Sequence, residues 1–170
     1  MNLIKKMKPH LYVLYAAVIL GGILIDQLSK LLVVEFLKPI DDVPLWDGVF
    51  HFNYHENTGA AFGMLSESRW VFMVISTVAI TALALYLFFG RVETKLAGVS
   101  IAMIISGGIA NMIDRIALGY VVDFLYFKLI DFAIFNIADS FVCVGAGLLI
   151  LALVLDLINE AKKSKSAGEK

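Results

Sequence analysis

Residues 96–115 read LAGVSIAMIISGGIANMIDR, a run of apolar and small side chains that stays uncharged until Asp114 and Arg115 close it. A helix rises about 1.5 Å per residue and a bilayer core is roughly 30 Å thick, so this stretch predicts a membrane span. Three other stretches match it. Residues 11–32 are apolar with Asp26 and Lys30 near their end, and residues 70–89 (WVFMVISTVAITALALYLFF) carry no charge. Residues 137–158 begin near Asn136 or Asp139 and hold Asp156 close to their far end, where a carboxylate can reach the interface. Over the 170 residues hydrophobic types make up 60% and charged types 17%; mean hydropathy is +0.85. A soluble domain sits nearer half apolar and a quarter charged. The chain therefore reads as a single membrane domain over 1–170, an all-α core of four transmembrane helices with a small extracytoplasmic β element. A water-soluble globule and a disordered chain are excluded. The net charge of −1, with no basic face, speaks against a nucleic-acid partner.

Lys5, Lys6 and Lys8 ahead of an apolar run imitate a signal peptide, but the run is too long and no small-residue cleavage site ends it, so a retained span is expected. Basic residues set orientation. With both termini in the cytoplasm, Lys5, Lys6, Lys8, Arg91, Lys95, Lys162, Lys163, Lys165 and Lys170 lie inside, and Lys30, Lys38, Arg69, Arg115 and Lys128 outside. The bias predicts N-in, C-in insertion, with 161–170 as a cytoplasmic tail. The outer loops are then 33–69 and 116–136. Alternation over Val49–His55 predicts a short strand, Pro39 and Pro44 break helix before it, and Gly119–Phe127 is also β-prone. A small sheet rich in Phe and Tyr, resting at the interface, follows.

Ionisable groups inside a membrane are costly and usually mark function. Counted by helical rise from the inner face, Asp26 lies roughly 22 Å up and Asp114 roughly 27 Å up, and Asp139 roughly 25 Å above Asp156. Acids from three helices thus reach one level, and Asp123 lies in the loop between two of them. Gly107, Asn111 and Asp114 share a face of the third span. Asn136, Asp139, Ser140, Cys143 and Gly147 share one on the fourth, and Gly22, Asp26 and Ser29 or Lys30 one on the first. Such stripes are expected to point into the bundle, since lipid offers polar groups no partner. The three histidines, His10, His51 and His55, do not form a metal set, the lone Cys143 excludes an internal disulfide and is expected to be a small packing residue, and no metal or cofactor is implied. The motifs of zinc and serine hydrolases are missing. What remains is carboxylate chemistry. Two acids held close share one proton, and such a pair activates water and protonates a leaving group. The repeated Asn-x-x-Asp, Asn111–Asp114 and Asn136–Asp139, by itself suggests Asp114 with Asp139 as that pair.

Five blocks then carry a resemblance: Asp26-Gln27-Leu28-Ser29-Lys30, Asn57-Thr58-Gly59-Ala60-Ala61-Phe62, Gly108-Ile109-Ala110-Asn111-Met112-Ile113-Asp114-Arg115, Val121-Val122-Asp123-Phe124 and Phe135-Asn136-Ile137-Ala138-Asp139-Ser140. In this order, from first span to last, the chain resembles the bacterial lipoprotein signal peptidase (signal peptidase II) family. The resemblance implies a membrane aspartyl endopeptidase. It would sit in the bacterial cytoplasmic (inner) membrane, remove signal peptides from diacylglyceryl-modified prolipoproteins, cut before the lipidated cysteine, and work near the outer face in contact with membrane lipid; a monomer suffices for that chemistry. It implies Asp123 and Asp139 as the catalytic pair, overriding Asp114. It implies substrate or inhibitor contacts from Asn57, Asn111, Arg115 and Asn136, and sensitivity to globomycin-type cyclic peptides. Ala133 departs from the family, where many relatives carry proline, and this bears on local loop geometry alone. Structural roles are expected for the i, i+4 pair Asp26–Lys30, for Asp114, and for Gly107 and Gly108 as close-packing sites; Trp46 and Trp70 are expected to anchor at the interface. The rival readings are a small proton-conducting subunit, which predicts acids at the midplane, and a non-enzymatic assembly subunit, which leaves paired acids unexplained.

Overall fold

A computed structural model describes residues 9–59, 69–90, 92 and 94–168. Helix α1 covers Pro9–Leu32 and continues through a π-helical turn, Val33–Leu37. Strands β1 (Asp42–Trp46) and β2 (Phe50–Asn57) follow, then α2 (Arg69–Phe89), α3 (Lys95–Ala117), β3 (Val121–Tyr126), a short 3-10 turn at Lys128–Ile130, and α4 (Ile137–Gly168). Among the described residues three helices, Pro9–Leu37, Lys95–Ala117 and Ile137–Ser164, are long and apolar enough to cross a membrane. Residues Met73–Phe89 of α2 form a shorter apolar helix. The expected basic residues Lys5, Lys6, Lys8, Arg91 and Lys170 lie outside the described residues, as do 60–62 of the second sequence block.

Helix α3 is the hub, packed on α1, α2 and α4 and touching β3. Small residues make this possible. A side chain at Gly107 would run into the Ala138 carbonyl of α4, and one at Gly98 into Tyr15 of α1. A side chain at Gly145 would stand 2.8 Å from the Ser100 carbonyl. Gly108 turns instead toward Ile80 of α2. The bundle is divided along its length. Away from the sheet, Tyr15, Leu87, Ile101, Ala102 and Ile105 form a buried apolar core. At the sheet end, beside apolar Val121, Val122 and Phe124, the buried side chains include Asp26, Lys30, Asp114, Asp123 and Asn136.

The sheet is three-stranded and antiparallel, in the order β1-β2-β3. Strand β1 is an addition to the sequence reading, which took Pro44 only as a helix breaker. Pro44 is tolerated there because β1 is an edge strand, where a missing N–H breaks no interior ladder. Gly48, at φ 69°, turns the chain into β2. Phe135 pairs with β3 as well, its N–H donating to the Leu125 carbonyl (3.0 Å) and its carbonyl accepting from Leu125 N–H (2.8 Å).

Two features of α4 differ from expectation. Its packed face runs through Ala138, Val142, Gly145, Leu149 and Ala152, while Cys143 is exposed and Gly147 faces open space. Beyond Asp139, which meets Asn111, the inward stripe is apolar with small residues at the closest approaches to α3, and Cys143 lies on the exposed side. The helix also runs on to Gly168, so most of the segment read as a tail is helical. Residues 159–163 (Asn-Glu-Ala-Lys-Lys) are mostly good helix formers and sustain it.

Gly107→Ala is expected to lower stability by about 1–3 kcal/mol, because backbone cannot yield as a side-chain tip can. Gly147→Ala should be neutral or stabilising by up to about 1 kcal/mol. Thermal unfolding of both variants in detergent micelles checks the contrast.

Candidate active site

Lys30 sits at the centre of the polar end, 4% exposed. Its ammonium is 2.8 Å from Asp26 Oδ2, one turn back on α1, and 2.8 Å from Asp114 Oδ2 on α3. It also donates to Asn111 Oδ1 at 3.0 Å. An ammonium has three protons, and here each has an acceptor. The partners reach further. Asp26 Oδ1 accepts from the Ala138 N–H at 2.8 Å, and so ties α1 to the first turn of α4. Asp114 Oδ2 accepts from the Val122 N–H at 3.2 Å and ties α3 to β3. Gln27 Nε2 donates to Asp114 Oδ1 at 2.8 Å. Asp114 is thus committed to Lys30, Gln27 and β3, which is why the twin Asn-x-x-Asp does not bring it together with Asp139.

Asn136 is the N-cap of α4. Its Oδ1 accepts from Asp139 N–H at 2.9 Å, and Asp139 Oδ2 accepts from Asn136 N–H at 3.2 Å, a reciprocal capping box that fixes the Asp139 side chain. The Asn136 amide then donates to Asp123 Oδ1 at 2.6 Å. Two carboxyls from different elements therefore meet around one asparagine. Asp139 Oδ1 takes a second donor, Asn111 Nδ2, at 2.7 Å, and Asp123 Oδ2 takes Asn57 Nδ2 at 2.8 Å. Asn57 is held in its turn, its Oδ1 accepting from Gly59 N–H at 3.0 Å. Arg115 donates to the Gly59 carbonyl (3.3 Å) and to the Asn111 carbonyl (3.2 Å), and so supports two of the three asparagines that face the carboxyls.

Asp123 is 1% exposed. Burial, and after it the negative charge of Asp139, push its carboxyl up to about 7, against the pull of the Asn57 and Asn136 amides toward the ionised form. A carboxyl that keeps its proton near neutrality beside a second carboxyl has the makings of an acid–base pair.

Asp123, Asp139, Asn57, Asn111, Asn136 and Arg115 thus lie in one network, with Asp26, Lys30 and Asp114 beneath it. Gly108 stands apart, against α2. His51 and His55 do not converge: His51 Nδ1 donates to Asp42 at 2.9 Å, within the sheet. Two parts of the site were missed in the sequence. Gln27 carries no signal of its own beyond its block, and the linking of Asp26 to α4 spans 112 residues, for which no local pattern exists.

The fold and this network define a membrane protein with a carboxyl pair, Asp123 buried and Asp139 half-buried, at one end of an apolar bundle. The family model described as signal peptidase (SPase) II matches residues 17–155. The chain is 46% identical over 136 residues to the lipoprotein signal peptidase of Halothermothrix orenii, covering 80% of this chain and 92% of that one. It is 39% identical over 156 residues to that of Halalkalibacterium halodurans, covering 91% and 99%. A bacterial membrane enzyme solved by the in meso method at 2.3 Å resolution superposes with a TM-score of 0.79 at 30% identity, covering 93% of this chain and 96% of that one. The chain belongs to the signal peptidase II family.

Removing the central ammonium leaves two carboxylates buried and unpaired. Lys30→Met is expected to cost about 3–5 kcal/mol of stability. Adding Asp26→Asn and Asp114→Asn should recover part of that loss. Chemical or thermal denaturation of the single and triple variants in micelles checks both.

Proposed function

We propose that this protein is an aspartic endopeptidase that removes signal peptides from diacylglyceryl-modified prolipoproteins, cutting just before the lipidated cysteine, with Asp123 and Asp139 as its catalytic pair. The observation that carries this reading is the meeting of those two carboxyls on Asn136. Membership of the signal peptidase II family supports the peptidase activity, and the names of the relatives supply the lipoprotein substrate.

The chemistry follows from a pair that shares one proton. The ionised carboxylate takes a proton from water as the water oxygen attacks the scissile carbonyl carbon. The protonated carboxyl gives its proton to the carbonyl oxygen, and the tetrahedral intermediate collapses as the amine leaves with a proton. Burial and the neighbouring charge of Asp139 raise the Asp123 carboxyl, which suits it to the donor's part with Asp139 as base. Asn57, Asn111 and Asn136 hold both carboxyls in register, and the Arg115 guanidinium supplies positive charge near the developing oxyanion. No metal or cofactor enters this scheme.

The proposed setting is the bacterial cytoplasmic membrane. Four spans, the fourth formed by α2, would cross it with both termini inside and the sheet end outermost. The lipid-bearing cysteine would then arrive by lateral diffusion, its acyl chains still in the bilayer, and a single copy suffices. Globomycin-type cyclic peptides would occupy the same site.

Purified protein incubated with a diacylated prolipoprotein should shift its mobility on a gel. Asp123→Asn and Asp139→Asn should each slow cleavage by about a hundred- to ten-thousand-fold. A folded variant that cleaves at the wild-type rate overturns the assignment. Because the carboxyl is raised, its proton is kept at low pH and lost on the alkaline side. Cleavage is therefore expected to fall as pH rises through about 7, which a pH–rate profile in detergent measures.

A further inference from the structure

A cavity of about 440 Å³ lies between the sheet and the end of α1, lined by Val33, Phe36, Leu37, Val43, Phe52 and Phe124, with Ser29 and a few further apolar side chains. Its walls are carbon. Ser29 is its lone hydroxyl, and that Oγ donates to the Asp26 carbonyl at 2.6 Å. The π-helical turn shapes it: Val33, Phe36 and Leu37 all come from that turn, and such turns often mark functional positions. At the mouth Leu32, Phe36 and Ile40 are 59%, 66% and 62% exposed, continuous with the outward row Leu24, Leu28 and Leu31 of α1. In a membrane protein that row faces lipid, so the cavity is an inlet from the lipid-facing surface.

The cavity is also next to the reaction. Phe124 forms part of its wall, and Phe124 follows Asp123 in β3. Successive side chains of a strand point to opposite faces. The catalytic carboxyl and the cavity wall are therefore front and back of the same strand. Resting on the function proposed above, we infer that this cavity seats an acyl chain of the substrate's own thioether-linked diacylglycerol. The scissile bond ends at the backbone nitrogen of the lipidated cysteine itself, so the acyl chains must leave the site within a few bonds of Asp123. The apolar inlet beside β3 takes one of them and sets the cysteine in register with the carboxyl pair. A bilayer phospholipid fits the walls equally well, but nothing ties it to the position of Asp123.

The test uses full-length protein with two prolipoprotein peptides alike except for the lipid, one with palmitoyl and one with acetyl chains on the thioglycerol. Val33→Phe and Val43→Phe each fill the cavity without touching the polar network. Each is expected to raise KM for the palmitoyl substrate at least about tenfold while leaving KM and kcat for the acetyl substrate near wild type. Equal effects on both substrates, or none on either, overturn the inference. In a second arm, a palmitoyl substrate with a diazirine on one chain is bound to the inactive Asp139→Asn protein and illuminated. Label is expected in residues 29–43, displaced by unlabelled substrate. Label elsewhere, or label displaced equally by phospholipid, overturns the inference and leaves the peptidase standing. If wild-type protein cleaves neither peptide, the proposed function falls, and this inference with it.

Discussion

One buried ammonium holds the sheet end together. Lys30 lies among Asp26, Asp114 and Asn111, and none of these partners stops at Lys30. Asp26 goes on to the backbone of α4, Asp114 to the backbone of β3, and Asn111 to the Asp139 carboxyl. A single charge on α1 thereby sets the positions of the two elements that carry Asp139 and Asp123. Buried charge is tolerated only when paired and hydrogen-bonded throughout, and in an apolar bundle no water stands ready to replace a lost partner. The geometry is strongly determined for that reason.

Above this ionic base the groups that face the carboxyls are neutral amides. Asn57, Asn111 and Asn136 donate to the two acids without adding charge. An arginine or lysine pressed directly against Asp123 would hold it ionised at neutral pH and remove the proton that the proposed chemistry needs. The ammonium in the base is instead satisfied by Asp26 and Asp114. The division of labour is electrostatic: charged residues locate the elements, and amides aim the carboxyls while burial raises Asp123.

The two ends of the bundle follow different packing rules. Away from the sheet, glycines on α3 and α4 let helices approach until backbone meets backbone, and Tyr15 fills the gap over Gly98. At the sheet end, contact is made through hydrogen bonds over longer side chains. The cavity beside β3 belongs to the second regime. The π-helical turn widens α1 where the sheet begins, and the space is not closed by any side chain of the described residues lining it.

Much of this was legible in the chain itself. Apolar runs of the right length, interrupted by acids at similar distances along three helices, specify an α-helical membrane protein with carboxyls gathered at one end. Alternation at Val49–His55 and Gly119–Phe127 marks two of the three strands. Those signals are local and periodic, so one sequence suffices to read them. The pairing of acids was not legible from the residues: Asn111–Asp114 and Asn136–Asp139 have the same spacing, yet Asp114 binds Lys30 and Asp139 shares Asn136 with Asp123. Nor was the inward face of α4, where Ala138, Gly145 and Ala152 turn in and Cys143 turns out. Both depend on which surface α3 presents and on an acceptor 112 residues away. Sequence settled which groups must avoid lipid, because transfer cost belongs to each residue alone; tertiary structure settled their partners, because a hydrogen bond exists only where two chain segments have already been brought within about 3 Å.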